Sequence, residues 1–312
     1  MTNPIYIIGA GAIGKTLSVL LQNEGKDVRL IRGRSTEKAQ ARKLVTLQLP
    51  AGDQIQQYLP VTTLAQYVKL EGTVVITIKS YGNENLAAAL KKKAGSTPVV
   101  LLQNGLGVEL PFIRHAFNSV MRCVLFASSQ YTAETTIKFK PVRPSAIGIV
   151  HGGRERLAEV VANLTTTAFP FVEEPDIHPV IWKKAVINCV FNSICPLLET
   201  DMGIFQREKD VLQLGIDVIR EGIAMAELKG IRLQEHEVVQ QLLQISKASD
   251  GQLISTSQDI IAKRPTEIDT FNLAISRMGH DLGKEHVVEK NALLGNLIWW
   301  KSQLHRSDNA KS

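Results

Sequence analysis

Three polar side chains recur every four residues within an otherwise apolar stretch, residues 180–198. They are Lys184, Asn188 and Asn192. At 3.6 residues per turn, this spacing places all three on one face of a predicted helix. A buried lysine is costly unless it is paired or reaches water. Two interpretations therefore remain: an exposed polar stripe on the protein surface, or the polar wall of an active site.

A glycine pattern near the start of the chain predicts that backbone groups bind an anion. It follows an apolar run at residues 5–8 and precedes a helical pattern. Gly9 permits a tight turn, Gly11 lets a pyrophosphate approach the backbone, and Gly14 permits close helix–strand packing. Since a helix N-terminus also attracts phosphate, this context favours a dinucleotide site over a turn that only packs helix on sheet. The residues of the turn are Gly9, Ala10, Gly11, Ala12, Ile13 and Gly14.

The end of the next predicted strand, residues 27–31, indicates which dinucleotide is bound. NAD sites usually place an acid there, whereas this chain has Arg32, followed by Arg34. A guanidinium binds a 2′-phosphate through charge-assisted hydrogen bonds. The sequence therefore predicts NADP(H), and the alternative is a solvated basic loop.

Two further predicted strands end in polar residues. Residues 72–80 contain Lys79 near their end, and residues 97–107 run into Asn104. Because the carboxyl ends of parallel strands face the ligand crevice, we expect both side chains to face the cofactor. The alternative is that each is an ordinary strand-end residue. A hairpin of short strands is expected within residues 47–57.

Strand patterns end in residues 169–176, and helical patterns follow. Further strands are predicted at 123–129 and 147–150, with an antiparallel arrangement. The sequence thus predicts an α/β dinucleotide-binding domain over 1–174 and an all-α domain over 175–312. In the second domain, a helix is expected to start at Ser255, and another near Thr266 and Asp269, which resemble a capping box. Glu267 would lie in its first turn, where a carboxylate favours the helix dipole.

Composition narrows the classes of partner. Of the 312 residues, 44% are hydrophobic, but no apolar run is long enough to span a membrane, and no signal peptide is visible. Cys123, Cys189 and Cys195 lack metal or redox spacing and are expected to be reduced thiols of a cytoplasmic protein; no metal site is predicted. A net charge of +6 suits an anionic cofactor or substrate. Only 5% of residues are aromatic and no basic stripe occurs, which argues against nucleic acid.

Taken together, these residues resemble the ketopantoate reductase (2-dehydropantoate 2-reductase) family. The motifs occur in the family's order and span nearly the whole chain. The lysine–asparagine helix combined with the segment 266–269 is more specific than the glycine pattern. The matching pieces are Gly9 to Gly14, Arg32-Gly33, Lys79, Gln103-Asn104-Gly105-Leu106-Gly107, Trp182-Lys183-Lys184 with Asn188 and Asn192, and Ser255 through Gln258-Asp259 to Arg264-Pro265-Thr266-Glu267-Ile268-Asp269.

The resemblance implies an N-terminal Rossmann-type domain, an all-helical C-terminal domain and an active site in the cleft between them. It implies NADPH-dependent reduction of a small 2-oxo acid, 2-dehydropantoate, to pantoate, on the route to pantothenate and coenzyme A. No nucleic acid or membrane partner is expected. The sequence leaves the oligomeric state open, with a homodimer as one candidate.

Residue roles follow from the same resemblance. Ketone reduction needs a proton donor, and no histidine occupies a matching position, so Lys184 is expected to be the general acid. Asn104 is expected at the nicotinamide end of the cofactor, and Glu267 as an anchor on the cofactor side near Lys184. Cofactor contacts are implied for Gly9 to Gly14, Arg32, Lys79, Asn104 and Glu267, and substrate contacts for Asn104, Lys184, Asn188, Asn192 and Ser255.

Two departures from the family pattern leave the substrate open. Met202 and Gln252 stand where the family often has asparagine. One alternative is a related NADPH-dependent reductase of another 2-oxo acid, including an enzyme that couples a 2-oxo acid reductively to an amine. The other is a regulator that binds NADPH without catalysis.

Overall fold

The computed structural model of the protein describes residues 3–33, 40–50 and 52–307. The chain divides into two compact units. The first consists of Met1–Asn104 and Val108–Ile177, and the second of Gly105–Gly107 and His178–Ser312. The strands lie in the first unit, and the regular elements among the described residues of the second are all helices, so the predicted fold class is confirmed. The sequence-based domain bounds, 1–174 and 175–312, remain a prediction.

The first unit is built on an eleven-stranded sheet with the order β11-β10-β7-β6-β5-β1-β2-β4-β3-β9-β8. From β7 to β4 every neighbouring pair is parallel, whereas β10 runs antiparallel to β7, and β3 to β4. The strands are β1 (Ile5–Ile8), β2 (Val28–Arg32), β3 (Gln40–Gln48), β4 (Gln54–Thr63), β5 (Thr73–Ile76), β6 (Val99–Leu101), β7 (Val120–Val124), β8 (Ala127–Tyr131), β9 (Thr136–Pro141), β10 (Ser145–His151) and β11 (Phe171–Glu173).

The centre of this sheet is buried on both faces, as its continuous apolar strands require. Along β1, Ile5 and Ile7 pack in one core cluster and Tyr6 and Ile8 in the other. The first cluster includes side chains of α1 and α4, and the second includes side chains of α2 and α3. The helices of this unit are α1 (Ala12–Asn23), α2 (Asn83–Ala94), α3 (Leu110–Arg114) and α4 (Leu157–Leu164).

Two strand predictions need correction. The strand expected over 123–129 is two strands, β7 and β8, which are separated at Leu125 and Phe126. In this break the Phe126 N–H donates to Ser145 Oγ at 3.0 Å. The hairpin expected within 47–57 is longer, since β3 and β4 pair from Gln48 and Gln54 outward. The last described strand, β11, lies within the stretch 169–176, where strand patterns were expected to end, and it pairs parallel to β10.

The second unit consists of helices, and α7 packs closely on α5. A Cβ on Gly222 would lie 2.7 Å from Val186 Cγ2, and one on Gly215 would lie 3.0 Å from Val190 Cγ1. This contact covers the face of α5 opposite the predicted polar line. Among the described helices none has the length and apolar composition of a membrane span. The helices are α5 (Ile177–Leu197), α6 (Ile204–Arg207), α7 (Lys209–Leu228), α8 (Glu235–Ala248), α9 (Ser255–Ile261), α10 (Asn272–Asp281) and α11 (Glu289–Ser307).

A buried polar network anchors α11 to α7 and α10. The Glu221 carboxylate accepts the backbone N–H groups of Lys290 and Asn291, each at 2.8 Å. The Asn291 amide donates to the Val218 carbonyl at 3.2 Å and accepts a hydrogen bond from Asn272 at 3.1 Å. Glu221 thereby supplies acceptors that the N-terminus of α11 cannot find within its own helix.

Candidate functional site

Two glycines of the β1–α1 turn are required by the protein's own packing. Gly9 has φ +131°, and its N–H donates to the Ile31 carbonyl at 2.9 Å. A Cβ on Gly9 would lie 2.4 Å from Thr77 Oγ1, and one on Gly14 would lie 1.9 Å from the Gly9 carbonyl oxygen. Any side chain at these positions would therefore collide with atoms that hold β1, β5 and α1 together.

Gly11 is different, because the protein leaves its surroundings open. Its backbone is extended (φ −81°, ψ −174°), and a Cβ placed on it would meet no described atom within 4 Å. Gly11 also begins α1 and provides no side chain to cap it, so the first turn presents its N–H groups and partial positive charge there. An open space beside a helix N-terminus fits a diphosphate, and a Cβ would fill part of it.

A lysine that the sequence analysis did not single out lies in the same first turn. The Lys15 ammonium is 5.2 Å from the centroid of the Tyr131 ring, a cation–π distance. Next to it, Thr16 Oγ1 and Ser129 Oγ form a hydrogen bond of 2.6 Å that ties α1 to β8. The signal that could have identified Lys15 is its position one residue after Gly14, where a cation adds to the positive charge that the helix N-terminus offers an anion.

The predicted strand-end residues lie along the same edge of the sheet as the glycine turn. Arg32 ends β2, Lys79 follows β5 and Asn104 follows β6. Strands β2 and β5 flank β1, and β6 is the next parallel strand beyond β5. All three residues are half-buried. Arg34 lies outside the described residues. The edge therefore combines two cations and an amide with the open space at Gly11, at the carboxyl ends of the strands where dinucleotides bind in folds of this class.

A buried amide pair joins the turns that follow β5 and β6. Gln103 Nε2 donates to the Ile78 carbonyl at 2.8 Å and to Asn83 Oδ1 at 2.7 Å. The Asn83 amide donates back to Gln103 Oε1 at 2.9 Å. Beneath it, the buried Arg122 side chain donates to the Gln103 carbonyl at 3.2 Å and forms an ion pair with Glu109. In the sequence Gln103 is only one residue of a motif, whereas in the structure it fixes the backbones that carry the two strand-end residues.

The polar line on α5 changes from half-buried to buried along the helix. Lys184 and Asn188 are half-buried, whereas Asn192 is only 1% exposed. An exposed surface stripe is therefore the wrong interpretation at Asn192. The opposite face of α5 packs against α7, and this contact fixes the position and rotation of the helix.

Asn192 uses its amide to join α5 to α9. Its Oδ1 accepts hydrogen bonds from Ser255 Oγ at 3.3 Å and Thr256 Oγ1 at 2.7 Å, and its Nδ2 donates to the Asn188 carbonyl at 3.0 Å. The structure thus brings together two residues that the resemblance paired as substrate contacts. It also adds Thr256, which is buried and which the sequence analysis missed. A hydroxyl in the first turn of a predicted helix was the only signal for it.

Lys183 has a structural partner on a neighbouring helix. Its ammonium lies 2.5 Å from the Glu237 carboxylate of α8. The hydrogen bond and the charge of Lys183 hold the pKa of Glu237 below its usual range. The two adjacent lysines therefore differ, since Lys183 points toward α8 and Lys184 belongs to the polar line.

Glu267 precedes a short 3-10 turn rather than lying in the first turn of an α-helix. Both the N–H and the hydroxyl of Thr270 donate to the Glu267 carbonyl, each at 2.9 Å. No side chain caps this turn, so the capping box expected from Thr266 and Asp269 is not formed. The turn, Ile268–Thr270, starts one residue later than that motif needs.

The glycine-rich segment after Asn104 packs on this 3-10 turn. The Leu106 N–H donates to the Thr270 carbonyl at 2.7 Å. A Cβ on Gly105 would lie 2.3 Å from Thr270 Oγ1, so only glycine allows this approach.

Among the described residues, no three His, Cys, Asp or Glu side chains form a group that could hold a metal ion.

Comparison with known proteins gives the same relationship for both units. Residues 5–150 match the family model described as Ketopantoate reductase PanE/ApbA, and residues 176–298 match that of its C-terminal part. A 2-dehydropantoate 2-reductase of Pyrococcus horikoshii is 27% identical over 297 residues, covering 95% of each chain.

Solved structures of similar proteins share the fold. The dimeric ketopantoate reductase of Staphylococcus aureus has a TM-score of 0.81 at 20% identity, covering 97% of this chain and 99% of its own. D-mandelate dehydrogenase with NADH and anilino(oxo)acetate has a TM-score of 0.82 at 21% identity, with the same coverage. Because the family models match residues 5–150 and 176–298, the chain belongs to the ketopantoate reductase family.

Proposed function

We propose that the protein is an NADPH-dependent 2-dehydropantoate 2-reductase, which forms pantoate for pantothenate and coenzyme A synthesis. The observation that carries the proposal is that the family match includes both the glycine turn and the α5 polar line. Relatives that match over nearly their whole length are named for this reaction. The proposal assigns the cofactor to the first unit and the proton donor to the second.

In this proposal the backbone of the β1–α1 turn holds the pyrophosphate. Gly11 leaves room for it, and the α1 N-terminus and Lys15 supply positive charge. Arg32 binds the 2′-phosphate, and Lys79 and Asn104 contact the cofactor from neighbouring strand ends. Glu267 anchors it from the helical unit. Bound NADPH supplies the hydride for a ketone reduction.

Lys184 donates the proton that the reduction needs. As the carbonyl oxygen gains negative charge, an ammonium within hydrogen-bond reach both stabilises and protonates it. The same charge attracts the carboxylate of a 2-oxo acid, and the half-buried Asn188 amide orients the substrate. Asn192 has one amide N–H beyond its bond to Asn188, and Ser255 is exposed, so both can still meet substrate.

The direct test is the oxidation of NADPH, followed by absorbance, with 2-dehydropantoate and a panel of other 2-oxo acids. The proposal expects the highest kcat/KM with 2-dehydropantoate. Turnover of another 2-oxo acid alone would replace the substrate but keep the reaction class. Tight NADPH binding without turnover of any 2-oxo acid would favour the non-catalytic regulator.

The cofactor preference has its own test in Arg32→Ala. Losing a charge-assisted hydrogen bond costs roughly 1.5–3 kcal/mol, which is about 10- to 150-fold in affinity. The KM for NADPH should rise by that factor, while the KM for NADH should hardly change. Equal use of NADPH and NADH by the unaltered protein would contradict the assignment.

A second candidate is reduction of a different 2-oxo acid, with or without coupling to an amine. The observation that favours it is that the two departures from the family pattern lie together, since the Met202 N–H donates to the Gln252 carbonyl at 3.0 Å. Gln252 lies three residues before Ser255, a proposed substrate contact. Adding amines to the panel of 2-oxo acids distinguishes this candidate, because coupled turnover would then depend on the amine.

A further inference from the structure

A cluster of three charged side chains joins two loops of the helical unit. The first loop, residues 198–203, precedes α6, and the second, residues 249–254, precedes α9. Arg207 Nη2 donates to both oxygens of the Asp201 carboxylate, at 3.0 and 2.9 Å, and Arg207 Nη1 forms an ion pair with Asp250. Because a guanidinium is a rigid fork, binding two carboxylates fixes both loops relative to α6, which ends at Arg207.

The Asp201 carboxylate also holds the backbone of both loops. It accepts the Gly203 N–H at 2.7 Å within the first loop and the Gly251 N–H of the second. Burial would raise the pKa of Asp201, but these bonds and those from Arg207 hold it below its usual range. The carboxylate is therefore ionised around neutral pH, and it accepts donors from the two loops at once.

Next to this cluster, the backbone of Met202 is paired on both sides. Its N–H donates to the Gln252 carbonyl of the second loop at 3.0 Å, and its carbonyl accepts a hydrogen bond from Ser246 Oγ of α8 at 2.7 Å. Ser246 is fully buried. The position of Met202 is therefore coupled to that of the second loop.

The second loop leads directly into α9. Gln258 Nε2 donates to the Leu253 carbonyl at 2.8 Å, which ties the end of the loop to the helix. Ser255 begins α9, and its bond to Asn192 Oδ1, at 3.3 Å, is longer than most O–H···O hydrogen bonds. A small displacement of the loop would break this bond and would move Ser255, a proposed substrate contact.

We propose that Asp201 and Arg207 are positioning residues for the substrate: they hold the second loop, and through it Ser255, in the arrangement that binds the 2-oxo acid. This inference rests on the proposed function, because it takes Ser255 as a substrate contact. The proposed proton donor, Lys184, lies 13 residues before the end of α5, or about 20 Å along the helix. The two positioning residues, which follow that end, should therefore affect substrate affinity more than proton transfer.

The first test is the steady-state kinetics of Arg207→Ala with the 2-oxo acid that the unaltered protein reduces best. The KM for this acid should rise about 2- to 10-fold, the contribution of one ordinary hydrogen bond, while kcat and the KM for NADPH should hardly change. Arg207→Lys keeps the charge but not the fork, so it should recover part of the loss.

Arg220→Ala is the matched control. Arg220 also pairs with two carboxylates on the surface of the same unit, those of Asp217 and Glu235, and it belongs to neither loop. Its substitution should leave the KM for the 2-oxo acid unchanged. An equal rise in KM for Arg207→Ala and Arg220→Ala would indicate general destabilisation and would overturn the inference.

Hydrogen exchange, measured by mass spectrometry, tests the loop itself without relying on turnover. Peptides over 249–258 should exchange faster in Arg207→Ala than in the unaltered protein or in Arg220→Ala, whereas peptides over α10 and α11 should not. Unchanged exchange over 249–258, or faster exchange with an unchanged KM for the 2-oxo acid, would overturn the inference and leave the proposed function standing. If the unaltered protein reduced no 2-oxo acid, the proposed function would fail, and the substrate role of the two residues would fail with it.

Discussion

The two candidate regions obtain their polar groups in different ways. At the β1–α1 turn the polar groups belong to the backbone, and glycine matters because it has no Cβ. At Gly14 a Cβ would collide with the protein, whereas at Gly11 its absence leaves open space. On α5 the groups belong to side chains. The innermost of them, Asn192, already holds the hydroxyl of Thr256.

The two regions therefore differ in how far the residues that stabilise the fold are distinct from those proposed to bind ligand. In the turn, structural and binding roles fall on different glycines, so single substitutions can isolate each role. On α5 the same line of residues, from the half-buried Lys184 to the buried Asn192, includes both the proposed ligand contacts and the residues that stabilise the fold. A loss of activity there is informative only when stability is measured beside it.

The largest expected effect is that of Lys184→Ala. Removing a proton donor should lower kcat roughly 10²- to 10⁴-fold, the usual contribution of general acid catalysis. Dinucleotide affinity should hardly change, because the glycine turn and Arg32 belong to the other unit. Lys183→Ala, which breaks only the pair with Glu237, is the matched control and should keep most activity. If Lys183→Ala alone abolished turnover, the general acid would be misassigned; if neither variant lost activity, the proton would come from elsewhere.

Next in size is the contrast between Gly14→Ala and Gly11→Ala. The first adds a Cβ 1.9 Å from a backbone oxygen and should lower the unfolding free energy by about 1–3 kcal/mol. The second has room and an ordinary extended backbone, so its melting temperature should not change. Its dinucleotide affinity should fall roughly 10- to 100-fold if a pyrophosphate occupies that space. Unchanged affinity for Gly11→Ala would remove the turn from the cofactor site.

A third contrast compares Asn192→Ala with Asn188→Ala. The first leaves the buried Thr256 hydroxyl without its acceptor and should cost about 1–3 kcal/mol of stability. The second removes a half-buried amide and should raise the KM for substrate with little change in melting temperature. Thermal unfolding and steady-state kinetics on both variants check this. A stable Asn192→Ala with a raised KM would show that Asn192 acts chiefly on substrate.

The smallest effect concerns the pair of Lys183 and Glu237. Because Lys183 lowers the pKa of Glu237 in the folded protein, the pair stabilises the fold above the ordinary glutamate pKa, and this contribution disappears as the pH falls through the lowered value. Both side chains are partly exposed, so the gain is small. Melting temperatures of the unaltered protein and Glu237→Gln should differ slightly at neutral pH and converge in acid. A difference that persists in acid would contradict the ion pair.

The parts of the fold that sequence predicts well are those fixed by neighbours in the chain. The strand, glycine turn and helix at residues 5–23 need only an apolar run, three glycines and a helical period, which all lie within one local segment. The placement of Lys184, Asn188 and Asn192 on one face follows from helix geometry alone.

What the sequence does not reveal are partners brought from far along the chain. Thr256 reaches Asn192 only when α9 packs on α5, and the Asn83–Gln103 pair forms only when β5 and β6 lie side by side. The break between β7 and β8 likewise includes a hydrogen bond from the Phe126 N–H to Ser145, 19 residues later in the chain. Local sequence patterns do not indicate such contacts, because tertiary packing determines the strand bounds and the hydrogen-bond partners.

The hydrogen bond from the Leu106 N–H to the Thr270 carbonyl affects the order in which the protein can fold during synthesis. On the ribosome, the segment Gly105–Gly107 emerges long before residue 270, and at typical elongation rates the interval is roughly ten to thirty seconds. During that interval the segment has no docking surface, so the helical unit can be completed only late in synthesis. A gene fragment beginning at Ile177 would encode the seven described helices α5–α11 yet lack these three residues, so the helical unit is not encoded by one contiguous segment of the gene.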